Sequence, residues 1–175
     1  MSKYLFLLIP IFLLSDTGKL IKIVDGDTLY FKTNGKKVKC RIEYIDTPES
    51  RRGKKIDKDL KACGYMVKEK DLLSAGKSAT RAAKRLLKLN SKYKYSVNGK
   101  DRYGRSICVV DLKSDMSFNE LMIVNGYAAP YRHYMDRNEL SHYEGLLDQA
   151  RENNVGLWKD YRRSIECMDK AREGK

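Results

Sequence analysis

Short apolar runs separated by turn residues dominate the first third of the chain. Residues 20–24 and 28–32 are rich in apolar and β-branched side chains, and Asp25-Gly26-Asp27 between them is typical of a turn. Asn34-Gly35 is a strong hairpin signal before the next run, residues 38–45. The pattern therefore predicts three consecutive short strands.

Residues 38–45 alternate between apolar and polar side chains, which predicts a strand with one buried face. The apolar face contains Val38, Cys40, Ile42 and Tyr44. Arg41 belongs to the opposite face, where an arginine is usually only solvated. It stands a few residues before the Asp46-Thr47-Pro48-Glu49 turn, and this position favours a functional role.

Two further strands are predicted in the middle of the chain. Residues 93–97 and 106–112 have strand-like patterns around turns at Asn98-Gly99 and Tyr103-Gly104. Together with the first three runs they fit the strand number of a small closed barrel of the oligonucleotide-binding (OB) type. Many small α+β folds share such a strand number, so the number of strands does not by itself identify the fold.

Helical spacing occurs in three other segments. Residues 50–74 have the composition of a basic loop, and a helix follows it with Ser78 as a plausible cap. Residues 118–125 predict a short helix that Gly126 ends, and residues 138–153 predict a third helix. The fold class expected is α+β and mainly β, a five-stranded OB-fold barrel with three helices, in one domain over residues 19–160.

The two ends of the chain differ from this domain. Residues 4–14 are almost entirely apolar but too short to span a bilayer comfortably, so we predict a signal peptide or N-terminal anchor over residues 1–18. The expected location is exported, periplasmic or secreted. The alternatives are a membrane anchor or a buried first strand, and Pro10 weakens the strand. Residues 161–175 are expected to be a charged, frayed tail.

Basic residues are in large excess, with 36 Lys and Arg against 23 Asp and Glu and a net charge of +13. Such an excess indicates a polyanionic partner or an anionic membrane surface, and the alternative is a merely soluble basic protein.

The four cysteines form no C-x-x-C pair, so the sequence suggests neither a zinc site nor a thioredoxin-type redox site. Cys40 and Cys108 lie in strand patterns and are expected to be small buried hydrophobic residues. Cys63 and Cys167 lie in polar surroundings and are able to form a disulfide if the chain is exported.

Acidic and basic residues at the ends of the first strands carry the candidate chemistry. Asp25-Gly26-Asp27 and Asp46-Thr47-Pro48-Glu49 supply carboxylates, Arg41 supplies a guanidinium, and Asp101-Arg102-Tyr103-Gly104-Arg105 supplies another. Each turn alone is common. Carboxylates beside guanidinium groups are the equipment for holding a hard cation next to a phosphate, so phosphodiester hydrolysis is the leading hypothesis.

These motifs, in their order, resemble those of staphylococcal nuclease-like proteins. The resemblance runs from about Leu20 to Trp158 and includes the Phe118-Asn119-Glu120-Leu121 helix. It implies a calcium-dependent endonuclease that acts on DNA and RNA and leaves 3′-phosphate ends.

The resemblance also assigns roles to single residues. It implies that Asp27, Asp46 and the Thr47 carbonyl are calcium ligands, that Glu49 positions the attacking water, that Arg41 and Arg105 grip the scissile phosphate, and that Asp25 lies near the metal without coordinating it. Tyr131 matches one of two tyrosines that contact the terminal nucleotide, and His133 or Tyr134 stands where the other is expected.

Other residues are expected to bind the rest of the substrate. Tyr103 is a candidate for base stacking, and Arg51 and Arg52 are candidates for following the phosphate backbone, with a mobile solvated loop as the alternative. Single-stranded or denatured nucleic acid is the expected preference, and a monomer without stable membrane association is expected once the leader is removed. The main alternative function is a catalytically silent OB-fold module that only binds nucleic acid or protein.

Overall fold

The computed structural model describes residues 15–64 and 66–173. The strands are β1 Ser15–Ile23, β2 Thr28–Thr33, β3 Lys36–Ile42, β4 Ile45–Asp46, β5 Lys92–Lys100, β6 Ser106–Asp111 and β7 Ala129–Pro130. The helices are α1 Lys54–Ala62, α2 Glu69–Leu86, α3 Phe118–Val124, α4 Arg137–Glu152, α5 Leu157–Asp160 and α6 Arg162–Glu173, with a 3₁₀ turn at Arg132–Tyr134.

Five strands close into a barrel in the order β1-β2-β3-β6-β5, and the pair β4-β7 forms a small separate sheet. Barrel neighbours are antiparallel except β3 and β6, which run parallel. Alternate side chains point into the barrel, where Phe31 and Tyr95 stack with ring centroids 4.7 Å apart. The predicted α+β class with a five-stranded OB-type barrel is confirmed.

The expected number of helices is wrong, because the described residues form six α-helices rather than three. The segment 50–74, interpreted as a loop, contains α1 and the first part of α2. Most residues of α1 are charged, so its sequence shows little of the apolar spacing that predicts a helix. Ile56 and Cys63, the residue that follows α1, are buried. Helix α2 begins at Glu69 without a side-chain cap, and not near Ser78. Asn98-Gly99 lies at a register shift within β5 and is not a turn between strands.

All four cysteines are paired. Cys40 and Cys108 form a disulfide inside the barrel between the neighbouring strands β3 and β6, which corrects the expectation of two separate buried thiols. Adjacent strands bring the two Cα atoms to 5.6 Å, a normal separation for a disulfide. Cys63 and Cys167, whose pairing the sequence left open, form a disulfide that joins the end of α1 to α6.

The C-terminal segment is not frayed, because residues 162–173 form α6. Ile165 and Met168 are fully buried in the hydrophobic core. The buried Asp169 accepts hydrogen bonds from Arg132 at 2.7 Å and from Arg151 at 2.5 Å. A few apolar positions in a charged segment are thus enough to dock the helix.

The first strand begins at Ser15, inside the segment 1–18 assigned to the leader. Residues 1–14, which include the apolar run, lie outside the described residues, so the leader, its cleavage and the domain boundary stay predictions. Within residues 15–64 and 66–173 no helix combines the length and the hydropathy needed to cross a bilayer.

Candidate active site

Two glycines allow the segments of the site to approach closely. A β-carbon on Gly26, in the turn between β1 and β2, would lie 2.7 Å from the Thr47 side chain. A β-carbon on Gly76 of α2 would overlap the backbone carbonyl of Glu49. Glycine at these two positions therefore lets the β1–β2 turn and α2 pack on either side of the Thr47-Pro48-Glu49 segment.

Strand pairing and α3 fix the remaining backbone. Asp46 pairs with Ala129 across the β4–β7 sheet. Asn119 of α3 donates from Nδ2 to the Glu43 carbonyl at 2.9 Å, and its Oδ1 accepts from the Val110 amide at 3.2 Å. A buried asparagine thus ties the connection between β3 and β4 to β6, which positions Asp46 and the turn after it.

Asp27 is buried and has partners on both carboxylate oxygens. Its Oδ2 accepts from the Thr47 amide at 2.9 Å and the Thr47 hydroxyl at 3.0 Å, and it pairs with Arg41 Nη1 at 2.9 Å. Its Oδ1 accepts from the Thr28 hydroxyl at 3.1 Å. These contacts join the β1–β2 turn to the start of the Thr47 turn.

Arg41 lies between two carboxylates. Its Nη1 pairs with Asp27, and its Nη2 donates to Asp46 Oδ1 at 2.8 Å. Burial lowers the pKa of Arg41, but the negative charges of Asp27 and Asp46 outweigh burial and raise the pKa above its usual range. The alternation of β3 correctly places this side chain outside the barrel interior, at the end of the strand.

Lys55 is a site residue that sequence reasoning missed. From the first turn of α1, its Nζ lies 2.9 Å from Asp46 Oδ1, 3.0 Å from the Thr47 carbonyl oxygen and 3.1 Å from Glu49 Oε1. Burial lowers the pKa of Lys55, and the carboxylates of Asp46, Asp27 and Glu49 raise it by more. Sequence pattern gave no clear signal for this residue, because α1 carries much charge and few apolar residues, and the position of Lys55 beside the turn follows from the formation of α1.

Asp25 lies behind Asp27 and accepts a hydrogen bond from the Asp27 amide at 3.1 Å. Burial, followed by the negative charges of Asp27 and Glu49, raises the pKa of Asp25 to about 7. The site thus concentrates more negative charge than Arg41 and Lys55 neutralise, and an additional cation is favoured here.

The structure does not join Arg105 to this cluster. Arg105 Nε donates to Asp101 Oδ2 at 2.6 Å within its own turn, and within the described part of the chain neither Nη nitrogen has a hydrogen-bond partner. Its turn leads into β6, whose Ser106 pairs with Cys40 and whose Ile107 pairs with Arg41 of β3, so Arg105 lies just before the strand next to that of Arg41. Hydrogen bonds from Arg105 and Tyr103 lower the pKa of Asp101 despite its partial burial.

Of the predicted substrate-binding residues, Tyr131 lies beside Arg41, whereas Tyr103, Arg51 and Arg52 are exposed. The Tyr131 ring centroid is 5.9 Å from Arg41 Cζ, and His133 and Tyr134 follow it with ring centroids 6.3 Å from its ring. Tyr103 is largely exposed near Arg105. Arg51 and Arg52 precede α1 and are exposed. Arg52 pairs with Glu69 of α2 at 2.5 Å.

The oxygen atoms around Lys55 fit a hard cation. A carboxylate oxygen of Asp46, the Thr47 carbonyl and a carboxylate oxygen of Glu49 converge on one ammonium group, which stands in for such a cation. Among the described residues no group of three or more His, Cys, Asp and Glu side chains is arranged to hold a metal, and Asp27 contacts Arg41 and Thr47.

Comparisons with known proteins agree with this architecture. Residues 39–160 match the model of the family described as staphylococcal nuclease homologue. An uncharacterized protein of Methanocaldococcus jannaschii is 32% identical over 149 residues, 81% of this chain and 70% of that protein. A micrococcal nuclease of Shigella flexneri is 28% identical, over 82% and 74% of the two chains. An uncharacterized endonuclease of Escherichia coli O157:H7 is 30% identical, over 91% and 92%.

Proposed function

The chain belongs to the staphylococcal nuclease homologue family, and we propose on that basis that it is a calcium-dependent endonuclease. It hydrolyses phosphodiester bonds of DNA and RNA and leaves 3′-phosphate ends. One observation carries the proposal: Arg41 is fixed between Asp27 and Asp46, at the rim of a group of oxygen atoms that includes the Thr47 carbonyl and Glu49.

Asp27, Asp46 and the Thr47 carbonyl would hold the calcium ion. Calcium, when bound, supplies positive charge that offsets the charge developing on the reacting phosphate. The donor set is made only of oxygen atoms, the ligands that this ion prefers. Asp25, behind Asp27, is only partly ionised at neutral pH, because burial and the charges of Asp27 and Glu49 raise its pKa to about 7.

The side chains of the chain itself bind and orient the substrate. Arg41 keeps both carboxylates in place, and its planar guanidinium presents further N–H groups to a phosphate oxygen. Arg105 contributes its two Nη nitrogens from the turn before the neighbouring strand β6. Glu49, whose side chain is about one-third exposed, orients the attacking water from the solvent side of the site.

The outer face of the barrel supports a nucleic-acid partner. Lys37, Lys39 and Arg41 alternate along one side of β3, so a row of cations leads to the site. Tyr30 of β2 pairs with Lys39, and the Lys37 ammonium lies 4.2 Å from the Tyr30 ring centroid. A cationic strand with an aromatic ring suits a single-stranded or denatured polynucleotide. Lys37 and Lys39 of β3 together are called the lysine row.

We also propose that the protein is exported and acts as a monomer. Two disulfides within the described residues favour an oxidising compartment such as the periplasm or the exterior of the cell. A membrane anchor through the N-terminal apolar segment remains the alternative, and N-terminal sequencing of the mature protein distinguishes the two.

The test is a cleavage assay with the purified chain on denatured DNA and on RNA, with calcium and with a chelator. We expect cleavage only with calcium, and products that a 3′-phosphatase must treat before they can be extended. Full activity in chelator would exclude the metal. Binding without cleavage under all conditions would support the silent binding module instead.

A further inference from the structure

Lys55 occupies the position that a divalent cation would take. Its ammonium group contacts Asp46 Oδ1, the Thr47 carbonyl and Glu49 Oε1 at 2.9–3.1 Å, the usual distances for charge-assisted hydrogen bonds. Calcium would bind the oxygen atoms of two of these residues, Asp46 and Thr47, at about 2.3–2.6 Å. The two cations cannot occupy this position together.

We propose that Lys55 is a tethered cation that competes with calcium for the oxygen atoms of Asp46 and Thr47. The proposal rests on the proposed function in one respect, the binding of a divalent cation at these oxygens. With Lys55 in place the site is closed, and calcium binds as the ammonium group leaves. The observed calcium affinity is therefore the intrinsic affinity multiplied by the fraction of molecules in which Lys55 is displaced.

Helix α1 keeps Lys55 at the site. Ile56, the next residue, is buried, and the Cys63–Cys167 disulfide fixes the far end of α1 to α6. The ammonium group is therefore present at a high effective concentration in every molecule, because only rotation of its own side chain separates it from the oxygen atoms.

Release of Lys55 is possible without unfolding α1. The Lys55 side chain is 32% exposed, so it lies at the rim of the site and has a path to solvent. Once displaced, its ammonium group stays near the site and becomes a partner for a substrate phosphate. The same residue then closes the site without metal and adds positive charge for the bound polyanion.

The first experiment measures calcium binding by calorimetry, without substrate, for the wild type, Lys55→Met and Lys54→Met. Lys54→Met is the matched control, because it removes the same charge from an exposed neighbour on α1. We expect Lys55→Met to lower the calcium Kd about tenfold, the factor for a group that closes the site about nine-tenths of the time. Lys54→Met should change the Kd less than twofold.

The second experiment uses the unmodified protein, so it does not depend on how a variant folds. Amines are acetylated at a low level with and without calcium, and the rates at Lys55 and Lys54 are compared by mass spectrometry. We expect calcium to increase acetylation of Lys55, which loses three contacts, and to leave Lys54 unchanged.

Calcium binding with unchanged acetylation of Lys55, together with equal Kd values for the two variants, would overturn the inference. Absence of calcium binding in all three proteins would overturn it as well. Calcium binding with the expected Lys55 effects but without nuclease activity would support the inference and count only against the proposed function.

Discussion

Arg41 is the residue on which both the stability and the chemistry of the site depend. It neutralises Asp27 and Asp46, whose side chains are nearly buried. Arg41→Ala leaves both carboxylates short of a partner, so we expect a loss of about 3 kcal/mol in the free energy of unfolding. We expect cleavage to slow about 10²- to 10³-fold, as for the loss of one preorganised donor.

Arg41→Lys is the matched control for Arg41→Ala. It keeps the charge but cannot reach both carboxylates with one planar group, so stability should recover in part while cleavage stays slow. Denaturant unfolding and single-turnover cleavage of denatured DNA measure the two effects. A normal cleavage rate in Arg41→Ala would remove Arg41 from the chemistry.

Glu49 is expected to act on the water and not on nucleic-acid binding. Glu49→Gln should slow cleavage strongly, because the amide keeps the shape of the side chain but loses the charge that orients the water. Binding of nucleic acid in chelator should be unchanged, measured by fluorescence anisotropy. Equal cleavage rates for this variant and the wild type would show that Glu49 has no catalytic part.

The two helical glycines Gly76 and Gly145 give a comparison within one protein. Alanine usually stabilises an exposed helix position by up to about 1 kcal/mol over glycine, and the space around Gly145 is open. At Gly76 the added methyl group overlaps the Glu49 carbonyl. Gly76→Ala should therefore displace the Glu49 turn and slow cleavage more than about tenfold, while Gly145→Ala should be as active as the wild type.

Melting temperatures and cleavage rates of the two glycine variants test this. If Gly76→Ala cleaves at the normal rate, α2 does not position Glu49.

At the residue level, strand alternation predicted that Arg41 points away from the apolar face, and the family resemblance assigned Asp27 and Asp46 to one site with it, as their contacts show. It could not predict that Lys55 joins them. The side chain is one of several lysines and arginines in a basic segment, and only its three-dimensional contacts distinguish it.

At the level of elements, helix α3 shows what local sequence determines. Ser117 and Glu120 form a reciprocal capping box, and Gly126 follows with a positive φ of 74°, so both ends agree with the prediction. Helices α1 and α6 carry much charge and few apolar residues, and tertiary contacts and the Cys63–Cys167 bond stabilise them. Local pattern could not reveal them for that reason.

The Cys63–Cys167 bond closes a loop with a sequence separation of 104. Replacing both cysteines by serine should lower the free energy of unfolding by about 2–4 kcal/mol, because the unfolded chain gains conformations. Guanidinium unfolding measures the change. Stability equal to that of the wild type would mean that the bond adds nothing to the docking of α1 on α6.

At the scale of the whole molecule, the net charge of +13 includes Lys37, Lys39 and Arg41 on one side of β3. The lysine row extends the face that carries Arg41, so the barrel itself presents a path for a polyanion. Composition indicated a polyanionic partner or an anionic membrane surface, and the strand register brings Tyr30 of β2 beside Lys39 of β3 on the proposed path. The preference between DNA and RNA depends on contacts to bases and sugars, which neither charge nor register determines.

The lysine row predicts a specific salt dependence. Lys37→Ala/Lys39→Ala should weaken binding of single-stranded DNA and reduce the slope of log K against log salt by about 1.4, since each phosphate contact contributes about 0.7. Anisotropy titrations in chelator at several salt concentrations measure this slope without cleavage.

Lys159→Ala/Lys170→Ala is the matched control for the lysine row, because it removes the same charge from exposed positions on α5 and α6. The slope of log K against log salt for this control should stay near that of the wild type. Charges farther than about 10 Å from the nucleic acid are screened by salt, and only a phosphate contact releases a counterion. Equal slopes for the two double variants would mean that affinity depends only on total charge. This result would exclude the lysine row as a specific binding surface for nucleic acid.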